Sequence, residues 1–168
     1  MVDRILELEP EKRAMGVKNI TMSEDFLTHH FPQFPVMPGV LVIEAMSQLG
    51  SWLLAVSTDF KYKALLSSVK LAKFKRFIQP GDSLLLEVIL SSRTEEIAAL
   101  KGTGKVNGKT VAIVEFEVRL FPLEKLEHPQ EAMGFYKLLS SDYGEIIKAN
   151  KRERKSQQEK SNKSTQGE

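Results

Sequence analysis

The sequence predicts an α+β fold in which an antiparallel sheet curls around one long buried helix. Two observations predict it. The run Val40–Val56 is apolar on every helical face and carries one ionisable side chain, Glu44. Four strand-like segments then follow in succession, separated by turn signals, with no second helix among them.

The elements follow in chain order. Ile5–Leu8 and Ala14–Ile20 read as short strands joined by the turn Glu9–Lys12. Thr21–His30 is polar and reads as irregular, and prolines 32, 35 and 38 punctuate an extended loop. Pro38-Gly39 opens the apolar run, and a proline at or just before the first turn suits a helix starting near 39–40. Few β-branched residues follow Ile43, which favours a wrapped helix over a strand, ending near Ser57–Asp59. Strand signals resume over Leu65–Ile78, where alternation is imperfect, and are clearer over Ser83–Leu90 and Ile97–Val106. Pro80-Gly81-Asp82 marks a turn, and Asn107-Gly108 is the preferred pair for a type I′ hairpin. In Thr110–Phe121 one parity holds Ala112, Val114, Phe116, Val118 and Leu120, all apolar, so that face points to the core. Pro122 ends the sheet, and a further helix is expected between Pro129 and Asn150.

Composition bounds the function. At 168 residues, 42% apolar and 27% charged, the chain matches an ordinary soluble domain with a sizeable core. Lys151–Glu168 carries +3, which leaves the rest near −1, so the body is neutral and the tail is basic and expected to be disordered. With no cysteine there is no disulfide, thiolate metal site or thiol nucleophile, in keeping with a reducing cytoplasm. MVDRILELEP has no apolar core of a signal peptide. Val40–Val56 falls short of the about 20 residues of a membrane span and contains Glu44, Ser47, Gln48 and Ser51, so no membrane is expected. Gly102-x-Gly104 lies in a strand pattern with no following helix, so it is not a phosphate loop. Lys70, Lys73, Lys75 and Arg76 form a basic cluster that by itself reads as a solvated strand face, and nothing supports nucleic-acid binding.

Three features point to proton chemistry. His30, in the proline-bound loop, could take a proton at physiological pH, or could be a packing histidine at a turn. Glu44 lies about 7–8 Å along the axis from the helix start. Burial would raise its pKa and make it a proton donor, while the alternative is a carboxylate held by hydrogen bonds or a lysine. Pro38-Gly39 places unpaired N–H groups and a partial positive charge where a carbonyl oxygen could gain negative charge, or is an ordinary helix start.

The pattern His30-Phe31-Pro32-x-x-Pro35-x-Met37-Pro38-Gly39-Val40-Leu41-x-Ile43-Glu44-Ala45-Met46-x-Gln48 closely resembles the FabZ-type β-hydroxyacyl-(acyl carrier protein) dehydratases. Val2-Asp3-Arg4, Lys73-Phe74-Lys75-Arg76 and Pro80-Gly81-Asp82 fit the same pattern, and the resemblance spans about residues 2–121. It implies a hot-dog domain over 1–121, followed by a helical extension over 122–150 and the tail 151–168. It implies dehydration of a (3R)-3-hydroxyacyl chain, carried on the phosphopantetheine of acyl carrier protein, to the trans-2-enoyl thioester in fatty acid biosynthesis. His30 would be the base at C2, Glu44 would protonate or hold the departing hydroxyl, and the Gly39 amide would hold the thioester oxygen. Phe34 and Val40 would line the substrate site, and Lys73, Lys75 and Arg76 would dock the acidic carrier. The enzyme would need no metal or cofactor of its own, would be cytoplasmic, and would be a homodimer or a trimer of dimers. Its site would take His30 from one chain and Glu44 from the other.

The sequence departs from the family pattern in four places. An N-terminal element is absent or trimmed, His29 replaces a usual glycine, Lys70 and Phe77 replace a common aspartate and proline, and 122–168 has no counterpart in short members. Alternative readings are another hot-dog thioester enzyme (a dehydratase/isomerase or a thioesterase) or a non-catalytic acyl-binding protein.

Overall fold

A computed structural model describes residues 1–29 and 33–140, apart from the side chains of residues 28 and 29. Three expectations lie outside the described residues: the surroundings of His30, any helix beyond residue 140, and the state of the tail.

Six strands form one antiparallel sheet: β1 (Arg4–Glu9), β2 (Arg13–Asn19), β3 (Tyr62–Phe74), β4 (Ser83–Arg93), β5 (Ile97–Val106) and β6 (Lys109–Pro122). Their order across the sheet is β1-β2-β4-β5-β6-β3, which leaves β1 and β3 at the edges. The helix α2 (Gly39–Ser57) lies in its curve and buries Val42, Met46, Leu49, Leu53 and Leu54. By length and composition α2 could cross a bilayer, yet more than half of it is buried within the fold, as in the core helix of a globular domain. A sheet wrapped around one central helix is the hot-dog arrangement.

Strand sequence explains the inward face. On β6 the apolar parity Ala112, Val114, Phe116, Val118 and Leu120 is buried throughout, as alternation predicts. Asn107 and Gly108 both take positive φ (49° and 74°), the backbone of a type I′ turn between β5 and β6. Gly102 and Gly104 serve packing, because a Cβ on Gly102 would sit 2.5 Å from Met46 Sδ and one on Gly104 3.1 Å from a Leu84 methyl. The helix is tied to the edge strand where Ser51 Oγ accepts from the Ala64 N–H at 3.2 Å.

Three expected boundaries are corrected. The third strand starts at Tyr62 and leaves the sheet after Phe74, not at Ile78. It is an edge strand with register shifts at Leu66/Ser68 and Val69/Leu71, so no single face is buried along it and alternation fades. The fourth strand continues past Leu90 to Arg93 across a further register shift. The segment read as irregular contains a short helix, α1 (Asp25–His29), anchored by buried Leu27.

Past the sheet, Leu123–Lys125 makes a 3-10 turn and α3 (Pro129–Ser140) packs beside β1, with Leu139 joining the main core.

Candidate active site

Glu44 lies on the second turn of α2. Its carboxylate is half-buried and accepts a hydrogen bond from Gln48 Nε2 at 2.8 Å, one helical turn on. It is therefore not sealed in the core as its apolar neighbours in sequence suggested, and its partner is an amide, not a lysine. It opens onto a cleft of about 380 Å³ whose walls include Gln48, Trp52, Lys63, Leu66 and Phe135.

Gly39 is the first residue of α2, and Pro38 has no side chain to cap the free N–H groups there. The ring of Phe74, at the end of β3, stands over it: a Cβ on Gly39 would lie 2.9 Å from two ring carbons. Val36, Met37 and Phe77 complete the apolar pocket around this helix start, about 190 Å³ in volume. Helix geometry separates the two features. Five residues advance about 7.5 Å and rotate about 140° net around the axis. Gly39 and Glu44 of one chain accordingly line different cavities.

Three further candidates, Phe34, Lys75 and Arg76, lie on the Gly39 side. Phe34 meets Phe77 edge-on at 5.4 Å between ring centres. Phe34, Lys75 and Arg76 share a groove of about 460 Å³ with Phe74, Phe77 and Gln79. Lys73 is exposed near the end of β3 but does not line that groove. Val40, one residue past Gly39, is 69% exposed. His30 lies outside the described residues, nine residues before the helix start.

Sequence reasoning missed Phe74 as the roof over Gly39, and Trp52 and Phe135 as walls of the Glu44 cleft. Aromatic residues in strands and helices read first as core; Trp52 and Phe135 carry no local motif, and the motif Lys73-Phe74-Lys75-Arg76 marks Phe74 without saying that it covers Gly39. Among the described residues no group of three or more His, Cys, Asp or Glu is placed to hold a metal.

A family model described as a FabA-like domain matches residues 1–115, about two thirds of the chain. A Clostridium novyi protein named 3-hydroxyacyl-[acyl-carrier-protein] dehydratase FabZ is 48% identical over 118 residues, covering 70% of this chain and 78% of that protein. The chain belongs to the FabZ-type dehydratases.

A second FabZ dehydratase, from Halalkalibacterium halodurans, is 43% identical over 113 residues, covering 67% of this chain and 81% of that protein. Among solved structures, the ApeI:P dehydratase heterocomplex from Xenorhabdus doucetiae superposes with a TM-score of 0.55 at 22% identity. The match covers 71% of this chain and 99% of that one. A Streptococcus mutans protein solved bound to acetyl CoA gives 0.56 at 13% identity, covering 71% and 88%. At these identities both likenesses speak to the hot-dog fold alone. The FabA-like match takes in the helix start, Glu44 and five complete strands, and stops within β6 before the 3-10 turn and α3.

Proposed function

We propose that this chain dehydrates (3R)-3-hydroxyacyl-(acyl carrier protein) to the trans-2-enoyl thioester in fatty acid biosynthesis. The observation that carries this reading is 48% identity to a FabZ dehydratase over 118 residues, within a family match that takes in His30, Gly39 and Glu44.

The residues suit the step. The C2 proton of a thioester is weakly acidic, so its removal needs a base together with a donor at the thioester oxygen. His30 takes the C2 proton, and the electron pair moves toward the carbonyl as the oxygen gains charge. The Gly39 amide, at the positive end of α2, binds that oxygen, a contact worth about 10²–10³-fold. The pair then closes the C2–C3 double bond as the C3–O bond breaks. Glu44 gives its proton to the departing hydroxyl, which leaves as water, and Gln48 holds the carboxylate in place. General acid–base help of this kind is worth about 10²–10⁴-fold. The imidazolium proton returns through solvent to Glu44, closing the cycle without a resident metal or cofactor.

Each site draws on two protomers, His30 and Gly39 from one and the partner's Glu44. Two features support this. Gly39 and Glu44 of one chain line separate cavities, and β3 is an edge strand with exposed Leu65, Leu66 and Val69, along which a second copy can pair. Acyl carrier protein, which is acidic, docks on Lys73, Lys75 and Arg76 beside the groove of Phe34, and Val40 borders the substrate. A cytoplasmic setting goes with this reading.

The test is hydration of a crotonyl thioester by the purified chain, followed as loss of enoyl absorbance. Turnover well above a His30→Ala control is expected. No turnover above that control at any acyl length would overturn the enzyme reading.

A further inference from the structure

The segment after the sheet has no part in the reaction above and lies beyond the family match, yet it builds one end of the Glu44 cleft. It is firmly fastened. The buried Leu123 donates its N–H to Lys61 O at 2.9 Å, and Glu127 pairs with Lys63 at the start of β3. The ring of Tyr136 sits between Trp52 and Phe60, with centres 6.0 and 5.7 Å away, while Ala132 and Leu139 are buried on the same side of α3.

Phe135 points elsewhere. It is 55% exposed, lines the Glu44 cleft, and its ring lies 5.9 Å from that of Trp52. The cleft follows α2 from Glu44 past Gln48 to Trp52, eight residues or about 12 Å. Its chemistry is graded. Glu44, Ser47 and Gln48 make one end polar, whereas the rings of Trp52 and Phe135 stand together at the other, beside the paired Lys63 and Glu127. The ion pair at the far end leaves no bare charge, because Glu127 answers Lys63, whose ammonium lies 5.8 Å from the Trp52 ring centre. A ligand with a polar reacting head and an apolar tail matches this grading.

We propose that the segment 122–140 is a length stop for the acyl chain, with Phe135 against Trp52 forming the end wall of the cleft that starts at Glu44. The inference rests on the dehydratase reading, which puts the reacting carbon at Glu44 and so directs the tail toward Trp52. It makes Phe135, contributed from outside the matched domain, and Trp52, within it, specificity-determining residues.

The test compares the full chain with Phe135→Ala and Phe135→Trp in hydration of short, medium and long enoyl thioesters. Binding of S-alkyl pantetheine thioethers of the same lengths, measured by titration calorimetry, reads the stop without turnover. Phe135→Ala should raise the long-to-short ratio, in both kcat/KM and affinity, by about tenfold, and Phe135→Trp should lower it. Phe135 is largely solvent-facing, and the melting temperature of each variant checks that the fold survives. Identical length profiles in all three proteins would overturn the proposal, as would a uniform change at every length with an altered oligomeric state by light scattering. Wild-type protein inactive at every length, with thioether affinity that still shifts between variants, would sink the dehydratase reading and support the stop.

Discussion

Gly39 lies directly beneath the ring of Phe74, so close that a Cβ on the glycine would stand 2.9 Å from two ring carbons. The last residue of β3 thus roofs the first residue of α2. A helix start without a side-chain cap is held against an aromatic face.

Gly39→Ala should displace Phe74, which can swing because it is itself half exposed. Stability should change little, since alanine suits a helix better than glycine. Activity should fall by between about tenfold and the ~10²–10³-fold cost of a lost oxyanion donor. The double variant with Phe74→Ala should recover part of kcat/KM. A thermal melt and crotonyl hydration measured on the same samples separate the two effects.

Glu44→Gln should lower kcat by about 10²–10⁴-fold with little change in melting temperature, because the half-buried side chain keeps a hydrogen-bonding partner in Gln48. Mixed with His30→Ala chains after subunit exchange, it should regain activity, since one of the two sites in a mixed dimer is intact. Confirmed exchange with no recovery would place both groups in one chain.

Lys18, only 7% exposed, bridges Asp3 at 3.1 Å and Glu24 at 2.5 Å, and so fastens β2 to the turn that leads into α1. Burial works against its charge, but hydrogen bonds and attraction from Glu24 and Asp3 outweigh it and raise its pKa above the ordinary 10.5. A raised pKa means that the stabilisation is full below about pH 10.5 and is lost as the pH rises through the folded-state value. Lys18→Met should cost about 1–3 kcal/mol at neutral pH. The gap between wild type and variant in denaturant unfolding should narrow as the pH rises above about 10.5.

Two glycines should fail for opposite reasons. Gly108 has open space around a would-be Cβ but a φ of +74°, so Gly108→Ala should cost about 1–2 kcal/mol from backbone strain alone. Gly102 is crowded by Met46 Sδ at 2.5 Å, and Gly102→Ala should cost about 1–3 kcal/mol by overpacking. Met46→Ala should cost less in a Gly102→Ala background than in the wild type, and the same in a Gly108→Ala background, as read by the midpoint of urea unfolding.

The elements that read most clearly from sequence are those whose burial is one-sided. The apolar parity of β6 and the Asn107-Gly108 turn are encoded within a few residues, so local pattern suffices for them. The edge strand β3 reads poorly because two register shifts and solvent on much of its surface break the period. The short helix at Asp25–His29 is only 5 residues long and leaves no periodic signal to find. Within the site, Glu44 and Gly39 stand out by motif, whereas Trp52 and Phe135 look like any other core aromatics and the place of Phe74 over Gly39 is not written in its own motif.

By itself the sequence determined the fold class, the family, and which polar residues stand along the motif from His30 to Gln48. It did so because strand alternation, helix starts and motif spacing are short-range properties of the chain. Only the tertiary structure decided that Gly39 and Glu44 face different cavities, that Phe74 closes over the helix start, and that α3 brings Phe135 to the end of the Glu44 cleft. The last two join residues 35 and more than 80 positions apart, through the packing of an edge strand and an added segment, which no local pattern records.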